Sequence, residues 1–296
     1  YTLPLDGGTL QPVECLTEYD HVEQISPAPR GHHLACIASS PAVPARIVSC
    51  RAKRARVHAR SGSESLSPRQ LSQPQAVSWA GADGVTVYGL YYPPTSEQFV
   101  GTGKPPLVIN VHGGPTSSVE MGFEARAQYF ATRGWAFLDL NHRGSTGHGR
   151  AYMQALRGSW GVVDVDDALS AAQYLCDARL ADPERLVLCG GSAGGYTVLR
   201  TLTAYPGSFC AGLCLYGISN LFSLTTDTHK FEARYLDSLL GPLPEAAAVY
   251  RERSPLFSAD NIRDPIALFQ GSEDRVVPPT QAEEIVANLR RRGVPH

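Results

Sequence analysis

Leu186-Val187-Leu188-Cys189-Gly190-Gly191-Ser192-Ala193-Gly194-Gly195 reads as a short buried strand that turns into a helix across a glycine-flanked serine. The four apolar residues form the strand, and the run G-x-S-x-G beginning at Gly190 forms the turn. Such a turn is so tight that only small residues fit beside the serine, and glycine tolerates its strained dihedrals. The hydroxyl of Ser192 is then lifted above the end of the strand. The helix that follows points its free N-terminal amides at the same place. Ser192 is therefore the candidate nucleophile.

Working outward, apolar strand-like runs alternate with helix-like runs. Pro106–Val111, Trp135–Asp139, Leu186–Cys189, Cys210–Tyr216 and Ile266–Gln270 read as strands. Phe123–Arg133, Asp164–Ala178, the run after Ser192, and Thr280–Arg292 read as helices. Val77–Trp79 and Val85–Tyr92 read as two strands around an Ala82-Asp83-Gly84 turn. This alternation predicts an α/β domain with a mostly parallel sheet, and ligands in such sheets bind beyond the C-terminal strand ends. In Asp164–Ala178, Val165, Leu169, Ala172 and Cys176 are expected on the buried face. Asp164, Asp166 and Asp167 are expected to complement the helix dipole. Residues 1–75 differ. Short pieces such as His33–Ala38 and Ala45–Cys50, parted by Ser/Pro-rich turns, predict an all-β element. The basic stretch Ala52–Arg60 is expected to be a solvated strand face, and Ser61–Gln75 a connection.

Two further segments give the serine a chemical setting. His112-Gly113-Gly114-Pro115 follows the strand ending at Val111. An oxyanion hole needs backbone amides free to face a developing negative charge, and the Gly114 and Ala193 amides are the expected pair. His112 precedes the serine and is read as part of this loop rather than as a base. Gly271-Ser272-Glu273-Asp274 follows the last strand, where an acid that orients an imidazole should lie. Asp274 is the choice and Glu273 the alternative. No phosphate-binding loop and no metal-ligand spacing occur, so neither cofactor nor metal is expected. No G-x-G-x-x-G follows the first strand, which leaves dinucleotide binding the weakest rival.

These motifs, together with Asn141-His142-Arg143-Gly144-Ser145-Thr146-Gly147 and Trp160-Gly161 with Asp164 and Asp167, resemble the catalytic domain of the prolyl oligopeptidase family of serine peptidases. The acylaminoacyl and dipeptidyl peptidase branches are the nearest. The resemblance implies an α/β-hydrolase fold over residues 76–296 and a β-propeller fragment with its linker over residues 1–75. A propeller closes with about four to eight blades, so a longer parent is expected. It implies cleavage of short peptides through an acyl-enzyme on Ser192. It also implies an apolar substrate pocket walled by Ile218, Leu221 and Phe222 after the Cys210–Tyr216 strand, and by Val277. The family's histidine follows its acid by more residues than remain after Asp274. His296 is thus expected not to be the base, and the chain to be impaired. A carboxylesterase on the same fold and a non-catalytic pseudoenzyme stay open.

Composition agrees with a globular domain: 296 residues, 43% hydrophobic, net charge −2. The near-neutral balance offers no case for nucleic acid or a membrane surface, and no window approaches the roughly 18 apolar residues of a membrane span. The resemblance implies small peptide substrates as partners, with an oligomer left open. The start, Tyr1-Thr2-Leu3-Pro4, lacks Met and the pattern of a signal peptide, so a removed start or an internal piece is expected. Seven cysteines without CxxC spacing predict no disulfide framework and a reducing, cytoplasmic setting. Cys189, Cys210 and Cys214 are read as buried small hydrophobes.

Overall fold

The computed structural model describes residues 7–31, 33–51, 53–227 and 234–296. The start at Tyr1-Thr2-Leu3-Pro4, His32 and His229 lie outside them. In chain order the elements are β1 (His21–Pro27), β2 (His33–Ser40), β3 (Val43–Arg51), β4 (Arg54–Arg60), β5 (Gln75–Ala80), β6 (Thr86–Tyr92) and β7 (Leu107–Val111). Then follow α1 (Ala125–Ala131), β8 (Ala136–Asn141), α2 (Arg150–Gln154), α3 (Val163–Asp177), β9 (Leu186–Gly191) and α4 (Ala193–Ala204). The chain continues through β10 (Ala211–Leu215), α5 (Leu221–Asp227), α6 (Tyr235–Leu240), α7 (Ala247–Arg253), β11 (Ile266–Phe269) and α8 (Thr280–Arg292).

The chain divides into two compact units. Among the described residues the first holds the stretch up to residue 74 with 92–100 and 120–133, so after the expected boundary near residue 75 the sequence returns to this unit twice. The reason is a side chain with three bonds. Gln128 on α1 accepts from the Ser72 amide and donates to the Ser72 and Pro41 carbonyls, which ties α1 to this unit. Strands β1 to β4 form a four-stranded antiparallel meander in sequence order. Its small core holds Cys15, Tyr19, Cys36, Ala38, Val48 and Cys50. The basic stretch becomes β4, exposed along nearly its whole length. One expectation is corrected here: Cys15 and Cys50 form a disulfide. Their sequence separation of 35 carries no local spacing motif, and only the return of β3 past residue 15 brings them together.

The second unit carries a seven-stranded sheet in the order β11-β10-β9-β7-β8-β6-β5. β8, β7, β9, β10 and β11 run parallel, and β5 with β6 is an antiparallel hairpin at one edge. The central strands are buried without alternation. Every residue of β8 is buried, as expected where both faces of a parallel sheet are covered. Leu175 of α3, Val198 and Leu202 of α4, and Ile285 and Leu289 of α8 share one apolar core with Leu107, Ile109, Leu138 and Leu188 of the strands.

The face of α3 differs from the expected one. Its buried residues are Asp164, Val165, Asp167, Ala168, Ala171, Ala172 and Leu175, whereas Leu169 and Cys176 are only partly buried. The two aspartates do not serve the dipole from solvent. Asp164 accepts from the Gly161 amide at 2.7 Å and the Thr197 hydroxyl at 2.6 Å. Asp167 accepts from Arg143 through its amide, Nε and Nη2. Burial is tolerated because both oxygens of each carboxylate accept hydrogen bonds. Cys189 and Cys214 are buried as expected, but Cys210 is exposed, since it lies just before β10 rather than within it. Among the described residues no helix is long and apolar enough to cross a membrane.

Candidate active site

Ser192 lies between β9 and α4 with φ 56° and ψ −122°. A non-glycine residue in that region is strained and needs an environment that over-determines it. The sequence supplies it by clearance. A Cβ on Gly194 would lie 2.0 Å from the Val111 carbonyl oxygen, and one on Gly190 would lie 2.5 Å from the Gly194 backbone. Any larger residue would push α4 off the sheet. The Ser192 amide donates to the Leu215 carbonyl at 3.0 Å, which anchors the turn to β10. The Ala193 amide opens α4 and has no acceptor within the helix by its position.

Val111 pairs with Gly190, so β7 and β9 end side by side. Gly113 then sits against the elbow: a Cβ there would lie 3.3 Å from the Gly191 carbonyl oxygen and 3.5 Å from Ser192 Cβ. Gly114 and Ala193 line one small cavity of about 50 Å³ together with Ser192. His112 is pinned behind the loop. Its Nε2 is 2.7 Å from the Ser145 hydroxyl, its Nδ1 is 2.8 Å from the Gly113 carbonyl, and its ring stacks on His142. Burial, with His142 beside it, pushes His112 down to about 3, and burial pushes His142 down to about 4. Both rings are neutral spacers under the loop.

Asp274 follows β11, two strands from β9, at a spacing of about 10 Å across the sheet. Leu215 pairs with both Gly191 and Phe269, so the ends of β9 and β11 are level. Asp274 Oδ1 accepts from the Val276 and Val277 amides at 2.9 and 3.0 Å. Gln270 Nε2 donates to the Val277 carbonyl at 2.9 Å and reaches Asp274 Oδ2 at 3.4 Å. The neighbouring Glu273 is exposed.

Among the described residues no histidine bonds to Ser192 or Asp274. His21 pairs with Glu120 and His58 with Ser49. His148 stacks on Tyr88. His296 lies beside Pro295, whose carbonyl accepts from the Ile266 amide at the start of β11. That is the end of the strand opposite to Asp274, and its Nδ1 meets the Val294 carbonyl at 2.8 Å. Nor does any group of three or more His, Cys, Asp or Glu among them form a metal site.

Of the expected pocket walls, Ile218 and Val277 line the cavity. Leu221 and Phe222 do not. Leu221 is fully buried within the adjoining core, and Phe222 packs on Tyr250 and Phe257. From α5 it is Leu224 that lines the cavity. Trp160, quoted above only as part of a family motif and given no role in the pocket, also lines it, as do Tyr235, Leu236 and Leu239, which no local motif marks. Gln281, at the start of α8, is also unmarked. It accepts from the Ser219 and Asn220 amides at 2.7 Å and donates to the Ser223 hydroxyl at 2.8 Å.

The sequence model of the prolyl oligopeptidase family matches residues 121–296, more than half of the chain. The chain belongs to the prolyl oligopeptidase family. A dipeptidyl aminopeptidase of Pseudoxanthomonas mexicana is 32% identical over 78% of this chain and 35% of its own length. An acylamino-acid-releasing enzyme of Arabidopsis thaliana is 30% identical over 64% and 26%. The structure of a Mycobacterium tuberculosis puromycin-hydrolyzing peptidase superposes with a TM-score of 0.89 at 40% identity, covering 94% of this chain and 43% of that one. The chain thus spans about a third of the length of the curated relatives it matches. With these family members alongside, the seven-stranded unit is an α/β-hydrolase fold and the four-stranded meander a β-propeller fragment.

Proposed function

We propose that this chain carries the nucleophile, acid and oxyanion hole of a serine peptidase acting on short peptides. Ser192 attacks the scissile carbonyl and forms an acyl-enzyme. The Gly114 and Ala193 amides stabilise the oxyanion, and Asp274 orients the histidine that takes the serine proton. The single observation that carries the reading is the strained Ser192 turn with Gly113 against it and α4 behind it. No described histidine bonds to Ser192 or Asp274, so in this reading the general base is a histidine outside the described residues. The family names found among relatives, for dipeptides, acylated amino acids and puromycin, support small aminoacyl substrates. The lining of Ile218, Leu224, Leu236, Leu239 and Val277 supports an apolar side chain next to the scissile bond.

The test is covalent labelling with a fluorophosphonate. Labelling at Ser192 that disappears in Ser192→Ala supports the reading. Failure of the wild-type chain to label, even at high reagent concentration, refutes it in favour of a non-catalytic role. A matched aminoacyl ester and anilide then separate the chemistries, and cleavage of the ester alone would assign a carboxylesterase.

A further inference from the structure

Trp160 lines the small cavity that touches Ser192, Gly114 and Ala193. It is 1% exposed, and its indole Nε1–H meets no hydrogen-bond acceptor among the described residues. The ring is held in place. It packs on Tyr196 with centroids 4.3 Å apart, and the Trp160 carbonyl accepts from Arg253 Nη1 at 3.0 Å. The indole therefore has little freedom to turn its donor toward solvent.

None of the described residues of the wall accepts from it, and the Ser192 hydroxyl on the same wall is the proposed reacting group. Ile218, Leu224, Leu236 and Leu239 are aliphatic, and the Tyr235 hydroxyl donates to Thr116 Oγ1 at 2.6 Å. Tyr250 Oη and Arg253 Nε are also buried without a partner, but neither residue lines this cavity. A buried donor left unpaired bears its whole desolvation cost, so its occurrence beside a cavity has to be explained by what enters the cavity.

We infer that Trp160 is a specificity-determining residue: its Nε1–H donates to an acceptor atom carried by an otherwise apolar, uncharged substrate side chain next to the scissile bond. The pocket then selects a side chain with an ether, thioether or carbonyl acceptor over a hydrocarbon of the same shape. A site built around one donor discriminates against the analogue that leaves the donor unpaired. This inference rests on the reading of Ser192 as the reacting centre, which places the cavity next to the scissile bond.

The probes are N-acetyl-O-methylserine and N-acetylnorvaline, which differ by one oxygen for one methylene. The readout is the ¹H–¹⁵N spectrum of the full chain, whose three tryptophans give three indole resonances. The Trp160 resonance is assigned by Trp160→Phe. If that variant does not fold, Trp79→Phe and Trp135→Phe assign it by elimination. The expected result is a downfield shift of the Trp160 indole proton with the ether ligand only, and tighter binding of that ligand by roughly 2- to 10-fold. Trp160→Phe levels the two affinities. Equal shifts with both ligands, a shift with norvaline alone, or none with either, overturn the inference. An indole proton already shifted downfield and unmoved by either ligand overturns it too, since the donor is then satisfied by a resident water only. The two readings fail separately. Ser192 labelling with a silent indole sinks the role of Trp160 alone. An indole response without Ser192 labelling sinks the peptidase reading and leaves a binding pocket.

Discussion

Replacing Arg143 by Met should destabilise the protein by an amount that depends on pH in a defined direction. The Arg143 and Asp167 side chains are 5% and 0% exposed. Asp167 Oδ1 accepts from Nη2 at 2.7 Å and Nε at 2.9 Å, while Oδ2 accepts from the Arg143 amide at 2.6 Å. The substitution removes the guanidinium bonds and leaves the carboxylate with the amide alone. Breaking a buried pair from one side costs about 3–5 kcal/mol, which for a chain of this size corresponds to a fall in Tm of roughly 6–20 °C. Burial pushes Asp167 up to about 6 even against the pull of Arg143, and loss of the cation moves it higher. A carboxyl raised above its unfolded value of about 3.9 contributes stability below that value and loses it as pH rises through the folded one. The Arg143→Met deficit should therefore be larger at pH 8 than at pH 5. The assay is thermal melting by circular dichroism at both pH values, with Arg143→Met/Asp167→Asn as the control. Asn keeps an acceptor for the amide of residue 143 and carries no charge, so the double variant should recover more than half of the loss. A deficit below about 1 kcal/mol would refute the reasoning, given that a buried charge cannot be left unpaired so cheaply. So would a deficit unchanged between pH 5 and 8, or a double variant no better than the single one.

The remaining expectations are quicker to check. His142, buried and depressed to about 4, binds its proton far more readily when unfolded, so it weakens the fold as pH falls from about 6.5 toward 4. Replacing it with Asn should reduce the loss of stability between pH 7 and 5 by about 2 kcal/mol relative to wild type in urea titrations; an unchanged slope would show that the ring is hydrated. Gly194→Ala places a Cβ 2.0 Å from the Val111 oxygen and should give unfolded or insoluble protein, whereas Gly62→Ala, with open space around it, should keep the wild-type Tm. Thiol titration of the denatured, unreduced chain should count the five free cysteines, rising to seven after reduction. A count of seven before reduction would exclude the Cys15–Cys50 bond.

The sequence exposes local features well and long-range pairings poorly. β7, β8 and β9 are largely apolar runs interrupted only by Asn110, Asp139 and Asn141, the near-continuous pattern of a parallel sheet buried on both faces. The elbow is legible because its glycines and serine fall within six consecutive residues, even though some of their close contacts, such as Gly194 with the Val111 carbonyl, are long-range. The face of α3 is misread because Asp164 and Asp167 look like surface residues until Thr197 and Arg143 arrive from other elements. The Cys15–Cys50 bond and the Gln128 clasp fail for the same reason. At the pocket, Ile218 and Val277 are legible as neighbours of strand ends. Leu236 and Leu239 are not, and Trp160 is legible only as a motif residue, because all three reach the cavity from separate segments of the chain.

Gln281 sets a limit on how this scaffold can change. One amide side chain on α8 holds both Ser219 and Ser223, so the segment carrying Ile218 and Leu224 is fastened to the helix that follows the Asp274 loop. The proposed substrate wall and the helix after the Asp274 loop are thus tied together through one side chain. A substitution that enlarges the pocket by moving α5 will drag on Asp274 as well. Retuning selectivity here should come through side-chain exchange at fixed backbone positions, because a shift of the wall would be felt by the chemistry.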